Sequence, residues 1–143
     1  MTKAERKYFL LLSFTIFIQG LIYFIFKEFF QIETTFGPRP HALTSSLLHI
    51  HILIVPLMVF ALGYLFKVHI LEKLKRKKRR KSGITGLILF LLMILSGYLL
   101  QMGLELQTTR VIAIFHITVS VLWFGQLLWH SRKARSLQKK SSR

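Results

Sequence analysis

The chain predicts an all-α integral-membrane protein, an up-down bundle of four helices within a single membrane domain spanning residues 1–143. Three observations lead there. Apolar residues make up 52% of the 143-residue chain yet gather in four long segments, while the formal charge of +16 collects between and beyond them. The link between the third and fourth segments, about residues 103–110, is short, and short links make antiparallel neighbours. Of the 21 Lys and Arg residues, all but Lys27, Arg39 and Arg110 lie in the N-terminal tail, in residues 67–81 or in the C-terminal tail, a distribution typical of membrane proteins.

The first span covers about residues 8–26, interrupted only by Gln19 and Gly20, long enough for a hydrocarbon core of about 30 Å. Its length exceeds the apolar region of a signal peptide, and Lys27-Glu28-Phe29-Phe30 offers no small-residue cleavage site. The second span, about 47–66, follows a loop containing Gly37-Pro38-Arg39-Pro40, with Thr44, Ser45 and Ser46 available as caps. Pro56 inside it removes a backbone hydrogen bond and is expected to kink the helix. The third span, about 84–102, carries Ser96-Gly97, and the fourth, about 111–130, carries Trp123 and Trp129. A basic loop, 67–83, joins the second and third spans, and a basic tail, 131–143, ends the chain.

These charges set the direction. The basic termini and loop belong on one side, which the positive-inside rule makes cytoplasmic in a bacterial inner membrane. In the opposite loops Lys27, Arg39 and Arg110 are balanced by Glu28, Glu33 and Glu105. The run Lys75-Arg76-Lys77-Lys78-Arg79-Arg80-Lys81 is read as a solvated loop beside anionic lipid head groups, and nucleic acid is not an expected partner.

Function is carried by histidines. An ionisable side chain inside a hydrocarbon span is costly and is read first as functional, and imidazole is the usual protein ligand of b-type haem iron. His116 and His130 lie fourteen residues apart on the fourth span, a rise of roughly 21 Å and a rotation about 40° short of four turns, so both can face the bundle interior. His51 and His69 are eighteen residues apart, five whole turns over roughly 27 Å. His49 stands about 200° from His51 around the helix and is assigned an auxiliary role, to a propionate, a quinone or another helix; His41 belongs to the outer loop. Ser120, one turn beyond His116, and Gly63, Ser96-Gly97 and Gly125 leave room for a macrocycle or serve equally for close helix packing. With no cysteine the chain has no disulfide, no thiolate-bound cluster and no covalent c-type haem attachment.

The residues His49-Ile50-His51, Pro56-Leu57, Phe60-Ala61-Leu62-Gly63, His69, Ser96-Gly97-Tyr98, His116 and His130 resemble the four-helix b-type cytochrome superfamily, especially small bacterial cytochrome-b-like membrane proteins, over roughly residues 45–130. The His-x13-His spacing looks like that of respiratory cytochrome b helices; the second span departs from it, having no second histidine fourteen residues from His49 or His51. The resemblance implies two b-type haems, one held by His51 with His116 and one by His69 with His130. It implies one-electron transfer with membrane quinone or with a membrane or periplasmic redox partner, no residue being assigned a catalytic role.

Two other classes stay open. In a haem-free membrane scaffold or assembly subunit the histidines would be polar contacts between helices. In a transporter they would move metal or protons, because the chain has no Asp and no Glu in the four apolar segments. The orientation has a direct test: a reporter that works only in the cytoplasm is expected to be active at the C-terminus and inactive when inserted between residues 103 and 110, and the reverse pattern would overturn the assignment.

Overall fold

Four helices, each long and apolar enough to cross a membrane, account for nearly all of the computed structural model, which describes residues 2–66, 71 and 80–141. Helix α1 is Lys3–Phe29, α2 is Ala42–Leu65, α3 is Arg80–Leu99 and α4 is Leu106–Ser141. The fold class is all-α, as the sequence predicts. The chain divides into two compact units, Met1–Glu72 and Lys73–Arg143, each built on a helical hairpin. Tertiary contacts concentrate between α1 and α2 in one unit and between α3 and α4 in the other.

Both hairpins are antiparallel. In the first, Ser13 meets Met58 and Gln19 meets Leu47 and His51; in the second, Phe90 packs on Trp123 and Ser96 meets His116. Numbers rise along one helix as they fall along the other.

Helix ends depart from the hydropathy boundaries because helices continue past the apolar stretch wherever a cap or a charge ends them better. Thr2 caps α1 in a reciprocal box with Glu5, whose carboxylate accepts from the Thr2 backbone while Thr2 Oγ1 accepts from Glu5 N–H. Helix α2 starts at Ala42, capped by His41, whose Nδ1 accepts from the Leu43 N–H at 3.1 Å; Thr44, Ser45 and Ser46, expected as caps, lie inside the helix. Pro56 is accommodated within the run of α2. The basic C-terminal segment continues α4 to Ser141, and the last residues of the expected basic loop form the first turn of α3.

The connection from α1 to α2 adds the one non-helical element among the described residues, a two-residue antiparallel ribbon of β1, Gln31–Ile32, and β2, Arg39–Pro40. Its turn is closed by paired backbone bonds between Thr34 and Gly37, and Gly37, at φ +100°, occupies a conformation that a side chain would strain. The α3–α4 connection turns at Gly103, φ +65°.

Among the described residues few apolar side chains are buried: Met58, Leu65, Phe90, Val119 and Trp123. Large ones such as Leu53, Phe60, Tyr98 and Ile114 stay exposed, the arrangement expected where a bilayer is the solvent and helix association relies on packing and small residues. Phe90 is the largest fully buried side chain, 5.3 Å from Trp123 between ring centroids. Phe90→Ala is expected to destabilise the second hairpin by about 3 kcal/mol through the cavity it leaves, measured as a lower unfolding midpoint of the purified protein in mixed micelles. An unchanged midpoint would mean that the pair does not form the core of that hairpin.

Candidate functional site

Gln19 of α1 spans one turn of α2. Its Nε2 donates to the Leu47 carbonyl at 2.6 Å, and its Oε1 stands 2.6 Å from His51 Nδ1. A carbonyl can only accept, so the amide nitrogen has to face Leu47 and the amide oxygen has to face His51. An amide oxygen also only accepts, so His51 Nδ1 carries the proton and, in the neutral ring, Nε2 carries the lone pair. Among the described residues, Nδ1 is the only hydrogen-bonded ring nitrogen of His51. The ring lies against Gly20, where an added Cβ would come within 3.0 Å of Cε1; the glycine is what lets the imidazole approach α1.

The second hairpin repeats the arrangement with other residues. Ser96 Oγ donates its one proton to the carbonyl of Leu92 at 2.8 Å, with Met93 O at 3.1 Å sharing it. Ser96 Oγ also lies 2.9 Å from His116 Nδ1, and with its proton on the carbonyl it is left to accept from a protonated Nδ1. Gly97 makes the notch: a Cβ there would stand 3.1 Å from His116 Cε1. Ser96 is buried, and Ser120 Oγ donates to the His116 carbonyl at 2.7 Å.

The remaining histidines are placed differently. His130, half-buried, has Nδ1 2.6 Å from Ser82 Oγ. One turn earlier on α4, Gln126 Nε2 donates to the Ser82 carbonyl, and Gly86 is the residue that admits the Gln126 amide. His49 is exposed, on the far side of α2 from His51 as helix phase requires. His41 is the α2 cap and presents its ring edge to Phe26, with centroids 5.8 Å apart; because its Nδ1 accepts, it holds the tautomer opposite to that of His51 and His116. His69 lies outside the described residues.

Of the small residues expected to make room, Gly97 does stand against a histidine. At Gly63 and Gly125 an added Cβ would meet nothing within 4 Å. Sequence reading missed Gln19-Gly20, which it took only as an interruption of the first span. The available signal was the matching polar-glycine dipeptide, Ser96-Gly97, in the first helix of the other hairpin.

Among the described residues no three His, Cys, Asp or Glu side chains gather as they would around a bare metal ion. A b-type haem asks for less, because its porphyrin supplies four nitrogens and the protein one or two axial ligands. Taken singly, His51 and His116 each have Nδ1 hydrogen-bonded, the usual second contact of a metal-ligating imidazole, and each is seated on a glycine. Comparison with known protein families, curated proteins and solved structures gives no match.

The glycine seats can be tested by themselves. Gly20→Ala and Gly97→Ala are each expected to cost about 1–3 kcal/mol by forcing the facing ring away. Gly63→Ala, in open space, should be neutral or stabilise by roughly 0.5–1 kcal/mol through helix propensity. Equal effects at all three positions in an unfolding titration would refute the close approach.

Proposed function

We propose that this chain is a membrane-embedded, b-type cytochrome-like electron carrier, in which the imidazoles of His51 and His116 would hold the haem. The observation that supports this reading is the same in both hairpins: a histidine within a membrane-length helix, seated on a glycine, with Nδ1 hydrogen-bonded to an oxygen of the facing helix. Bound haem supplies one-electron redox chemistry, and two imidazole ligands leave no position for oxygen activation. The protein's own contribution is to orient both rings, keep their Nδ1 protons in place and keep water away from them.

The inner pair, His69 with His130, is proposed as the ligand set of a second haem, with His49 auxiliary. Quinone and a membrane or periplasmic redox protein are the proposed exchange partners. The proposed setting is a bacterial inner membrane with both termini cytoplasmic, supported by the charge distribution.

One observation favours the haem-free scaffold as the second reading. His51 and His116 already bridge the two helices of their own hairpins through Gln19 and Ser96, and interhelical hydrogen bonds of this kind hold membrane helices together without any cofactor.

Purification in mild detergent from haem-sufficient cells, followed by a dithionite-reduced minus oxidised spectrum and a pyridine haemochrome count, separates the readings. Two haems per chain, lost in part on His51→Ala with His116→Ala, support both pairs; one haem, lost entirely in that variant, supports the outer pair alone. No haem after reconstitution would leave the scaffold.

A further inference from the structure

The two hairpins share one contact register although their sequences differ. Ser13 faces Met58 where Phe90 faces Trp123, and all four side chains are buried. Six residues further along the first helix of each hairpin comes Gln19-Gly20 or Ser96-Gly97, and seven residues before Met58 or Trp123 comes His51 or His116. The packed pair has changed completely in chemistry and volume between the hairpins, Ser with Met in one and Phe with Trp in the other. The hydrogen-bond acceptor, the glycine and the facing histidine recur at the same level. General packing needs explain a glycine at such a crossing. They do not explain an acceptor aimed at the same ring nitrogen twice, by two different functional groups.

We propose that Gln19 and Ser96 are positioning residues that fix His51 and His116 as Nδ1–H tautomers, and that they do so unequally, with Gln19 the stronger acceptor. The tautomers belong to the haem-free protein; only the identity of what Nε2 binds rests on the haem reading above. The inequality follows from the groups. Gln19 Oε1 is an amide oxygen whose own NH2 is committed to the Leu47 carbonyl, so donation at one end polarises acceptance at the other, and its contact is 2.6 Å. Ser96 Oγ also donates, to the Leu92 carbonyl, so the difference lies in the acceptor itself, a hydroxyl oxygen at the longer distance of 2.9 Å. The stronger acceptor draws the Nδ1 proton further from the ring and makes His51 the more electron-rich ligand. An electron-rich axial ligand favours ferric over ferrous iron, so removing Gln19 raises the midpoint potential by more than removing Ser96.

The test is nitrogen NMR of the full-length, haem-free protein labelled with 15N-histidine in detergent, where protonated and unprotonated ring nitrogens have well-separated shifts. The two rings are assigned by their disappearance in His51→Asn and His116→Asn. The expected result is Nδ1–H for both in the wild type. Gln19→Leu should then move only His51 out of that form and Ser96→Ala only His116, while Gln19→Glu and Ser96→Thr, which keep an acceptor oxygen, retain it. A wild-type ring found as Nε2–H, or one indifferent to loss of its partner, would overturn the positioning role. In haem-loaded protein a redox titration should show a larger upward shift for Gln19→Leu than for Ser96→Ala; equal or reversed shifts would overturn the inequality. Failure to bind haem strikes only the carrier reading, because the tautomers are read without it.

Discussion

The cross-helix polar contacts of this molecule answer to one constraint, that its four helices are long and apolar enough to lie in a bilayer. A polar side chain in a membrane span has no solvent partner, so its hydrogen bonds have to be made to its own helix or to the one facing it. Ser13 and Ser96 turn back onto carbonyls one turn earlier, Gln19 and Gln126 reach across to the opposite helix, and His51 and His116 take what Gln19 and Ser96 offer. Among the described residues Thr44 Oγ1 is the one buried side-chain polar atom without a partner. The glycines follow from the same constraint, since short cross-helix bonds require backbones close enough for a ring or an amide to lie directly on the facing helix.

That constraint also fixes the chemistry of the rings. In water an imidazole would exchange protons freely and sample both neutral forms. Here the Leu47 carbonyl, which can only accept, orients the Gln19 amide toward His51, and the Leu92 carbonyl competes for the one Ser96 proton beside His116. The backbone of one turn thus decides which nitrogen of a histidine holds a proton, two bonds away.

Much of this was legible in the sequence. Four apolar runs with segregated charge gave the spans, the short third link gave an antiparallel pair, and helix phase alone put His49 and His51 on different sides of α2, matching their exposure in the fold. The helix ends were less legible, because His41 as a cap and the helical continuation of the charged tail to Ser141 depend on backbone hydrogen bonds that hydropathy does not register. Gln19 was invisible as a partner of His51 because pairing across a hairpin requires the register between α1 and α2, and a twelve-residue connection with its own ribbon and turn leaves that register open. Once one buried pair is placed, the others follow by counting turns.

The recurrence of polar contacts inside each hairpin bears on how such a chain is made. Glu5 meets Tyr64, Ser13 meets Met58 and Gln19 meets His51, all within the first seventy-two residues. As the ribosome finishes α2, every one of these partners is already synthesised, so the leading hairpin can close these particular contacts before α3 exists. Each hairpin carries both partners of its own cross-helix bonds, so the Gln19–His51 contact needs nothing from the second unit and the Ser96–His116 contact nothing from the first.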